Sequence, residues 1–224
     1  MTLDAGAGDL DTIPPTDRTR LRRLRERGAF ERSTVEAILD EGLVAHVGVV
    51  DGAHPVVLPM AYARVGRTLY VHGAVANHLL RTGADGEICV TVTLLDGLVL
   101  SRSWFHHSMN YRSVVVYGRA RLVTDDEEKR VASRALVEHL AEGRSDATRP
   151  VTPEELRKTT FLALPIDEAS AKIRTGPPGE DPADLDGEAW GGVLPLRLAA
   201  AGPVADDHTP AAAELPGHLV GWSR

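Results

Sequence analysis

The residues best suited to chemistry lie close together, in FHHSMNYRSVVVYGRARLV at positions 105–123. His106 and His107 are adjacent, and Arg112 and Ser113 stand directly before a run of β-branched residues. The histidines suggest a metal ion. A guanidinium beside a hydroxyl suggests a phosphate, because both groups donate hydrogen bonds to oxyanions. An exposed loop that binds nothing is the third interpretation of this segment.

A metal site has no positive support among the nine histidines. Neighbours on an extended chain, such as His106 and His107, point in opposite directions. Cys89 is the one cysteine and lies in the apolar run EICVTVTLL, and the chain has no HExxH motif. Because no local pattern supplies three protein ligands, we predict no metal site. Haem stays open, since a single axial histidine leaves no spacing signature.

An anion site has more support, from two further segments. GAVANHLLR predicts a short helix with Asn77 and His78 in its first turn and Arg81 one turn later, and helix starts favour anions. In PVVLPMAYA, Pro59 interrupts a predicted strand and leaves backbone groups free to meet a planar ligand. Together with Arg112, these features predict a site for a flat cofactor that carries a phosphate.

Short strands are predicted to position these residues. Hairpin turns are expected at Asp51-Gly52 and Asp96-Gly97. Helices are predicted from Ser33, from near Thr124, and over 152–159 with Pro153 at the first position. TTFLALPI and ASAKIRTG predict the last strands, and WGGVLPLRL a return to the body. Six or seven short strands with few helices predict a mainly β fold, a closed or nearly closed antiparallel β-barrel.

Composition limits the class of protein. The chain has 224 residues, 43% of them hydrophobic, and a net charge of −7, which disfavours nucleic-acid binding because that needs a basic face. No apolar run approaches the roughly 20 residues of a membrane span, and the acidic N-terminus has no hydrophobic signal-peptide core. We therefore predict a soluble, cytoplasmic protein that binds no nucleic acid and no membrane. We predict a flexible arm over 1–24, one domain over 25–198 and a tail over 199–224.

Two blocks of the chain carry a family resemblance. HPVVLPMAYARVGRTLYVHGAVANHLLRTG and VTVTLLDGLVLSRSWFHHSMNYRSVVVYGRARLV resemble the FMN-binding split-barrel proteins of the pyridoxamine 5′-phosphate oxidase-like superfamily. The closest likeness is to the flavin-nucleotide-binding or nitroimidazole-reductase-like branch, and it covers residues 25–198. The resemblance implies a split antiparallel β-barrel with flanking helices, in a homodimer with one FMN per subunit at the interface.

The resemblance also implies a set of cofactor-binding residues. Those along the isoalloxazine edge would be Leu58, Pro59, Met60 and, further on, Tyr62. Those that hold the flavin and lead to its phosphate would be His72, Gly73 and Ala74. Asn77 and His78 stand where the branch often has a Ser-Arg pair, which leaves more of the positive charge to Arg81 and Arg112.

Further implied contacts come from later in the chain. Ser113 would face the cofactor beside Arg112, and Asn110 would lie in a loop over the site with the two histidines. The alternative for that loop is packing against the partner subunit, and the alternative for Arg112 is an ion pair at the surface or the dimer interface. Trp190 would cover the flavin or the substrate, or fill the dimer interface instead.

These features together predict an FMN-dependent oxidoreductase. The flavin would take electrons from NADH, NADPH or another donor and pass them to a small planar substrate. His107 and Tyr111 are the candidates for supplying a proton. Other cofactors stay open for the same barrel: haem, a deazaflavin cofactor or pyridoxal phosphate. A flavin-binding or sensing dimer without turnover, or a dimeric scaffold without a ligand, is the non-enzymatic alternative.

Overall fold

Two antiparallel sheets with four flanking α-helices make up the body of the computed structural model, which describes residues 11–210 and 212–224. The strands are β1 (Gly28–Ala29), β2 (Ala45–Asp51), β3 (His54–Met60), β4 (Tyr62–Val65), β5 (Thr68–Ala74), β6 (Glu87–Leu100), β7 (Ser108–Arg119), β8 (Arg121–Leu122), β9 (Thr159–Pro165), β10 (Glu168–Arg174) and β11 (Gly192–Pro195). The helices are α1 (Arg32–Glu41), α2 (His78–Gly83), α3 (Asp126–Leu140) and α4 (Pro153–Lys158).

The strand order confirms the split-barrel prediction. The larger sheet has the order β1-β10-β7-β6-β2-β3, with β11 paired to β6 off this path. The smaller sheet has the order β4-β5-β9-β8. The chain passes from one sheet to the other at Ala61, the single residue between β3 and β4. The larger sheet ends in the edge strands β1 and β3, so it does not close on itself.

The core follows from the alternation of side chains along the strands. On β2, Ala45, Val47 and Val49 are buried, while His46 and Val50 are exposed. Because side chains on a strand alternate between two faces, one face of the larger sheet fills the core and the other is open. A second apolar cluster lies where α3 packs on the smaller sheet, and it includes Ala63, Tyr70, Ala132, Leu136 and Phe161.

The described part of the predicted arm, residues 11–24, packs against the domain. Ile13 is fully buried in the core, and its N–H donates to the carbonyl of Phe30 at 2.8 Å. Arg18 donates to Glu87 at 2.9 Å and also to Glu168. Residues 1–10 of the predicted arm lie outside the described residues.

The two predicted hairpin turns have different outcomes. The turn at Asp51-Gly52 is confirmed, and Gly52 has the positive φ of 60° that such a turn needs. The prediction of a turn at Asp96-Gly97 is wrong, because β6 continues as one strand from Glu87 to Leu100. Its ladder with β7 runs on both sides of a shift between Leu95 and Gly97. The polar dipeptide thus marks a β-bulge inside a long strand.

The starts of two helices differ from the prediction. The helix predicted from Ser33 begins at Arg32. The N–H of Arg32 donates to the carbonyl of Asp11 at 2.7 Å. Backbone of the N-terminal segment therefore satisfies a helix-start donor that a side-chain cap would otherwise satisfy. α3 is capped by Asp125, one residue after Thr124, and its side chain accepts from the N–H of Glu128.

The end of the chain returns to the body at two places. β11 pairs with β6, as predicted for WGGVLPLRL. Beyond β11, Trp222 Nε1 donates to the carbonyl of Leu140 at 3.0 Å, and Arg224 Nη1 donates to that of Asp40 at 2.7 Å. The last residues are therefore attached to the ends of α1 and α3. None of the helices among the described residues has the length and apolar character needed to span a membrane.

Candidate functional site

The turn from β5 into α2 brings several predicted residues together. The side chain of Asn77 accepts from the N–H of Leu80 at 3.2 Å and so caps α2. His78 Nε2 lies 2.7 Å from Asp51 Oδ2, across an exposed gap to the β2–β3 turn. A Cβ on Gly73 would lie 2.9 Å from Leu80 Cδ1, so a side chain at this position would have to displace the tip of Leu80. Two further predicted residues, Ala74 and Arg81, are exposed here.

His72 has an unusual environment on β5. Its ring stacks on Phe161 with centroids 5.7 Å apart. Its Nδ1 is buried and has no hydrogen-bond partner among the described residues. Burial lowers the pKa of His72, so the ring is neutral near pH 7. In a neutral imidazole one ring nitrogen carries a proton and the other can accept a hydrogen bond or bind a metal, and the buried Nδ1 of His72 is closed to a ligand from outside.

The predicted flavin edge on β3 is divided between two faces. Pro59 lies opposite His46 on the open face of the sheet, whereas Leu58 and Met60 lie opposite core residues of β2. Leu58 is 41% exposed all the same, because β3 is an edge strand. The proline fits such an edge, where its missing N–H costs no ladder bond.

The predicted site residues near β3 lie at opposite ends of this strand. The hairpin turn and His78 lie at one end of this strand and Met60 at the other. The strand has seven residues, which span about 20 Å at the usual rise per residue. A ligand that contacts both ends must therefore lie along the strand.

Tyr62 is a core residue in this structure. It is 1% exposed, and its hydroxyl donates to the carbonyls of Leu39 and Gly42, at 2.5 and 3.0 Å. Burial raises its pKa. Its hydroxyl ties the start of β4 to the end of α1, and it offers no surface to a cofactor within this chain.

Arg112 and Ser113 do not act as a pair. Arg112 donates to Asp96 from Nε at 3.0 Å and to Glu41 from Nη2 at 2.7 Å, and the two carboxylates raise its pKa. Ser113 Oγ donates to the carbonyl of Lys172 at 3.3 Å. Side chains of consecutive strand residues lie on opposite faces of the sheet, so Arg112 and Ser113 cannot bind one phosphate together. An anion at Arg112 would have to compete with two carboxylates of the same chain.

The loop between β6 and β7 exposes aromatic side chains. Trp104 and Phe105 are 99% and 88% exposed in a short 3₁₀ helix, Trp104–His106. The side chain of His107 is exposed too, and its Nδ1 lies 2.8 Å from the carbonyl oxygen of Ser103. Tyr111 follows on β7, half-buried and opposite Arg174.

Asn110 is joined to a residue that the sequence analysis missed. Asn110 is 8% exposed; its Nδ2 donates to the carbonyl of Gly176 at 3.1 Å, and its Oδ1 accepts from Arg174. Arg174 is itself 8% exposed. The only signal for it was a charged residue at a strand end before Gly-Pro-Pro, in KIRTGPP. Glu41 and Asp51 gave no signal, since their partners are distant in sequence.

Trp190 lies in the segment that precedes β11. Its side chain is 64% exposed. The indole ring packs beside Gly192, and a Cβ added to Gly192 would lie 2.8 Å from this ring. Glu180 attaches this segment to the end of β6, since its carboxylate accepts from Ser101 Oγ at 2.9 Å and from Arg102 Nη1 at 3.1 Å.

The predicted residues therefore form separate groups in the single chain. One group lies at the β5–α2 turn, one along β3, one around Arg112 and one around Asn110. Two clefts, of about 610 and 740 Å³, lie along α3, and none of the predicted residues lines them. No group of three or more His, Cys, Asp or Glu side chains able to hold a metal ion occurs within residues 11–210 and 212–224.

Comparison with known proteins decides the family. The sequence profile of the family described as pyridoxamine 5′-phosphate oxidase matches residues 31–173. The chain belongs to this family. A search among curated proteins found no match. The profile covers α1 and all strands from β2 to the penultimate residue of β10, so it includes most of the predicted site.

Solved structures of relatives extend the match to nearly the whole chain. The flavocytochrome Anf3 from Azotobacter vinelandii is 37% identical, with a TM-score of 0.85, over 92% of this chain and 96% of its own. An FAD and heme binding protein from Mycobacterium smegmatis is 33% identical, with a TM-score of 0.83, over 88% and 97%. A protein described as a 5-nitroimidazole antibiotic resistance protein, from Bacteroides thetaiotaomicron, is 23% identical, with a TM-score of 0.54, over 65% and 86%, and shares the fold.

Proposed function

We propose that this family member is a flavin- and haem-binding redox protein. The observation that carries the proposal is the similarity, over nearly the full length of each chain, to a flavocytochrome and to an FAD and heme binding protein. The flavin would be FMN or FAD, which differ in the adenylate part. With both groups bound, flavin supplies hydride and single-electron chemistry and haem supplies single-electron chemistry.

His72 is the residue that we propose would hold the haem. Burial keeps its imidazole neutral, and the buried Nδ1 leaves Nε2 as the nitrogen that would hold the iron. A ligand histidine needs this neutral form, and the ring stack on Phe161 fixes its orientation. A haem held by one histidine would need no cluster of metal-binding side chains, and none occurs among the described residues.

The flavin would lie along β3 and the β5–α2 turn, where exposed groups suited to it occur. Leu58 and Pro59 offer apolar surface at the sheet edge, and Arg81 offers an exposed guanidinium. The reaction we propose is transfer of electrons from NADH or NADPH to a small planar acceptor, in the cytoplasm. The chain's own part is to bind and orient both groups and to exclude water from them.

A second copy of the chain would complete the site. Val50 and Val57 are 69% and 59% exposed on the open face of the β2–β3 hairpin, and Trp104 and Phe105 are almost fully exposed. Exposed apolar surface of this kind is typical of a subunit interface. We propose a homodimer through the open face of the β2–β3 hairpin. Light scattering during gel filtration should give twice the mass of the chain, and Val57→Asp should give the monomer mass.

An absorption spectrum of the purified protein tests the cofactors. We expect flavin bands, with a flavin released on denaturation and identified by chromatography as FMN or FAD. We also expect a Soret band, and an α-band that sharpens on reduction. His72→Ala should lose the Soret band, whereas the exposed control His208→Ala should keep both the Soret band and the flavin. A protein that takes up neither flavin nor haem when supplied with them would refute the proposal.

A further inference from the structure

Arg174 is a buried cation at the end of β10. It donates to three neutral oxygens, those of Asn110 Oδ1, Gly176 at 3.4 Å and Pro177 at 3.3 Å. A guanidinium has five N–H donors, so these contacts leave donors unused. Asn110 holds the guanidinium in place, because its own Nδ2 donates to the same Gly176 carbonyl.

No carboxylate neutralises Arg174 within the described residues. Two other partly buried arginines do have carboxylate partners: Arg112 pairs with Glu41 and Asp96, and Arg64 pairs with Glu36 and Asp40. Burial of an unpaired charge costs several kcal/mol in general, so buried cations normally have an anionic partner. A counter-charge for Arg174 would have to come from outside the described residues.

A second unpaired arginine lies beside it. β1 pairs with β10 so that Gly28 lies opposite Lys172, which brings the preceding residue, half-buried Arg27, alongside the end of β10. Arg27 also has no acidic partner in the described part of the chain. Burial, and then the charge of Arg27, lower the pKa of Arg174. Neither of these neighbouring guanidiniums has a carboxylate partner among the described residues, although the chain has a net charge of −7.

We propose that Arg174 and Arg27, with Asn110 positioning the first, form a binding site for the phosphate or carboxylate group of a small ligand. Guanidinium groups bind both oxyanions with two hydrogen bonds. Two sources have this chemistry: the phosphate of a flavin nucleotide and a propionate of haem. The existence of the anion site is independent of the proposed function. Only the identity of the ligand that occupies the site rests on the proposed function.

Inorganic pyrophosphate tests the anion site directly. We expect it to raise the thermal unfolding midpoint of the full chain more than sodium chloride of equal ionic strength does. Arg27→Ala should abolish the difference, and so should Arg174→Gln if that variant folds. The control Arg22→Ala, exposed in the same basic segment, should retain it. No stabilisation beyond that of sodium chloride, or equal stabilisation in Arg27→Ala, would overturn the proposal.

Matched ligand pairs identify the source of the oxyanion. Riboflavin lacks the phosphate of FMN, and haem dimethyl ester lacks the carboxylates of haem. If the flavin supplies the group, Arg27→Ala should weaken FMN binding about tenfold or more and leave riboflavin binding unchanged. If haem supplies it, the same contrast should separate haem from its ester. Equal effects on both members of both pairs would refute the cofactor assignment.

The outcome stays separable from that of the proposed function. A wild-type chain that binds neither flavin nor haem refutes the function, and the pyrophosphate result still decides the anion site. The partner subunit is the competing source of a carboxylate. If Arg27→Ala converts the dimer to the monomer while pyrophosphate has no effect, the two arginines belong to the subunit interface, and the small-ligand site is wrong.

Discussion

Arg112 and Glu41 form a two-point ion pair that joins β7 to the last residue of α1. Both terminal nitrogens of the guanidinium donate to the carboxylate, and the Nη2–Oε1 distance is 2.7 Å. Asp96, the bulge residue of β6, accepts from the other edge of the same guanidinium at 2.8 and 3.0 Å. One arginine thus fixes a helix end and a β-bulge at the same time.

Replacement of Arg112 should therefore destabilise the fold. Arg112→Met leaves the carboxylates of Glu41 and Asp96 close together without a cation, and each side chain is about one-third exposed. We expect a loss of about 1–3 kcal/mol, between the values for exposed and buried pairs. Urea unfolding of the cofactor-free protein measures it, with Arg119→Met, an exposed arginine on the same strand, as the control. Unchanged stability together with loss of bound flavin would instead support the predicted cofactor contact.

The N-terminal segment should contribute to stability through Ile13. This side chain is fully buried in the main core. Ile13→Ala should lower the free energy of unfolding by about 2–5 kcal/mol, the usual range for such a truncation in a core. Val204→Ala, at a side chain that is 95% exposed, is the matched control. If Ile13→Ala unfolds like the wild type in chemical denaturation, residues 11–24 are not part of the cooperative unit.

The β5–α2 turn should not tolerate a larger residue at position 73. A Cβ on Gly73 would lie 2.9 Å from Leu80 Cδ1 and 3.1 Å from Asn77 Nδ2. Gly73→Ala should cost about 1–3 kcal/mol and disturb the cap of α2. Gly179→Ala, where the added Cβ meets no atom within 4 Å, should leave the thermal midpoint unchanged. Equal midpoints for the two variants would contradict the close approach.

Acid should weaken the packing between α3 and the end of α1. His139 Nε2 donates to the carbonyl of Gly42 at 2.5 Å, and the ring lies 4.8 Å from that of Tyr62. Burial lowers its pKa from 6.5, so folding favours the neutral ring. The stabilisation is complete above about pH 6.5 and is lost as the pH falls through the lower pKa of the folded state.

Unfolding free energies between pH 7 and pH 5 measure this effect. We expect a decrease in stability with falling pH that is smaller in His139→Gln than in the wild type. His54→Gln, at an exposed histidine on β3, should retain the wild-type slope. His72 has a pKa lowered by burial in the same direction, so some slope should persist in His139→Gln. A His139→Gln slope as steep as that of the wild type would contradict the assignment.

Local sequence signals predicted the elements that depend on local chemistry. Asp51-Gly52 forms the expected hairpin because glycine adopts the positive φ of the turn. Pro153 begins α4, with the capping box of Thr152 and Glu155 beside it. The same kind of signal failed at Asp96-Gly97, where a long pairing partner, β7, holds the chain extended through the dipeptide. Tertiary pairing overrode the local preference for a turn.

The candidate site was less accessible to sequence reasoning. Residue type and resemblance pointed to His72 and Asn110, but not to the contacts that define their chemistry. The stack of His72 on Phe161 and the contact of Asn110 with Arg174 join residues more than sixty positions apart. For Arg112, a cofactor contact was favoured over an ion pair, and its partner Glu41, seventy-one positions away, left no signal in the local sequence.

The sequence by itself determined the mainly β class, the family and most strand positions, because alternation, turn residues and motif blocks are local properties of the chain. Only the tertiary structure decided which charges are paired. It gave carboxylates to Arg112 and none, among the described residues, to Arg174. The physical reason is that electrostatic partners are set by distance in space, and strand pairing brings together residues whose separation along the chain carries no signal.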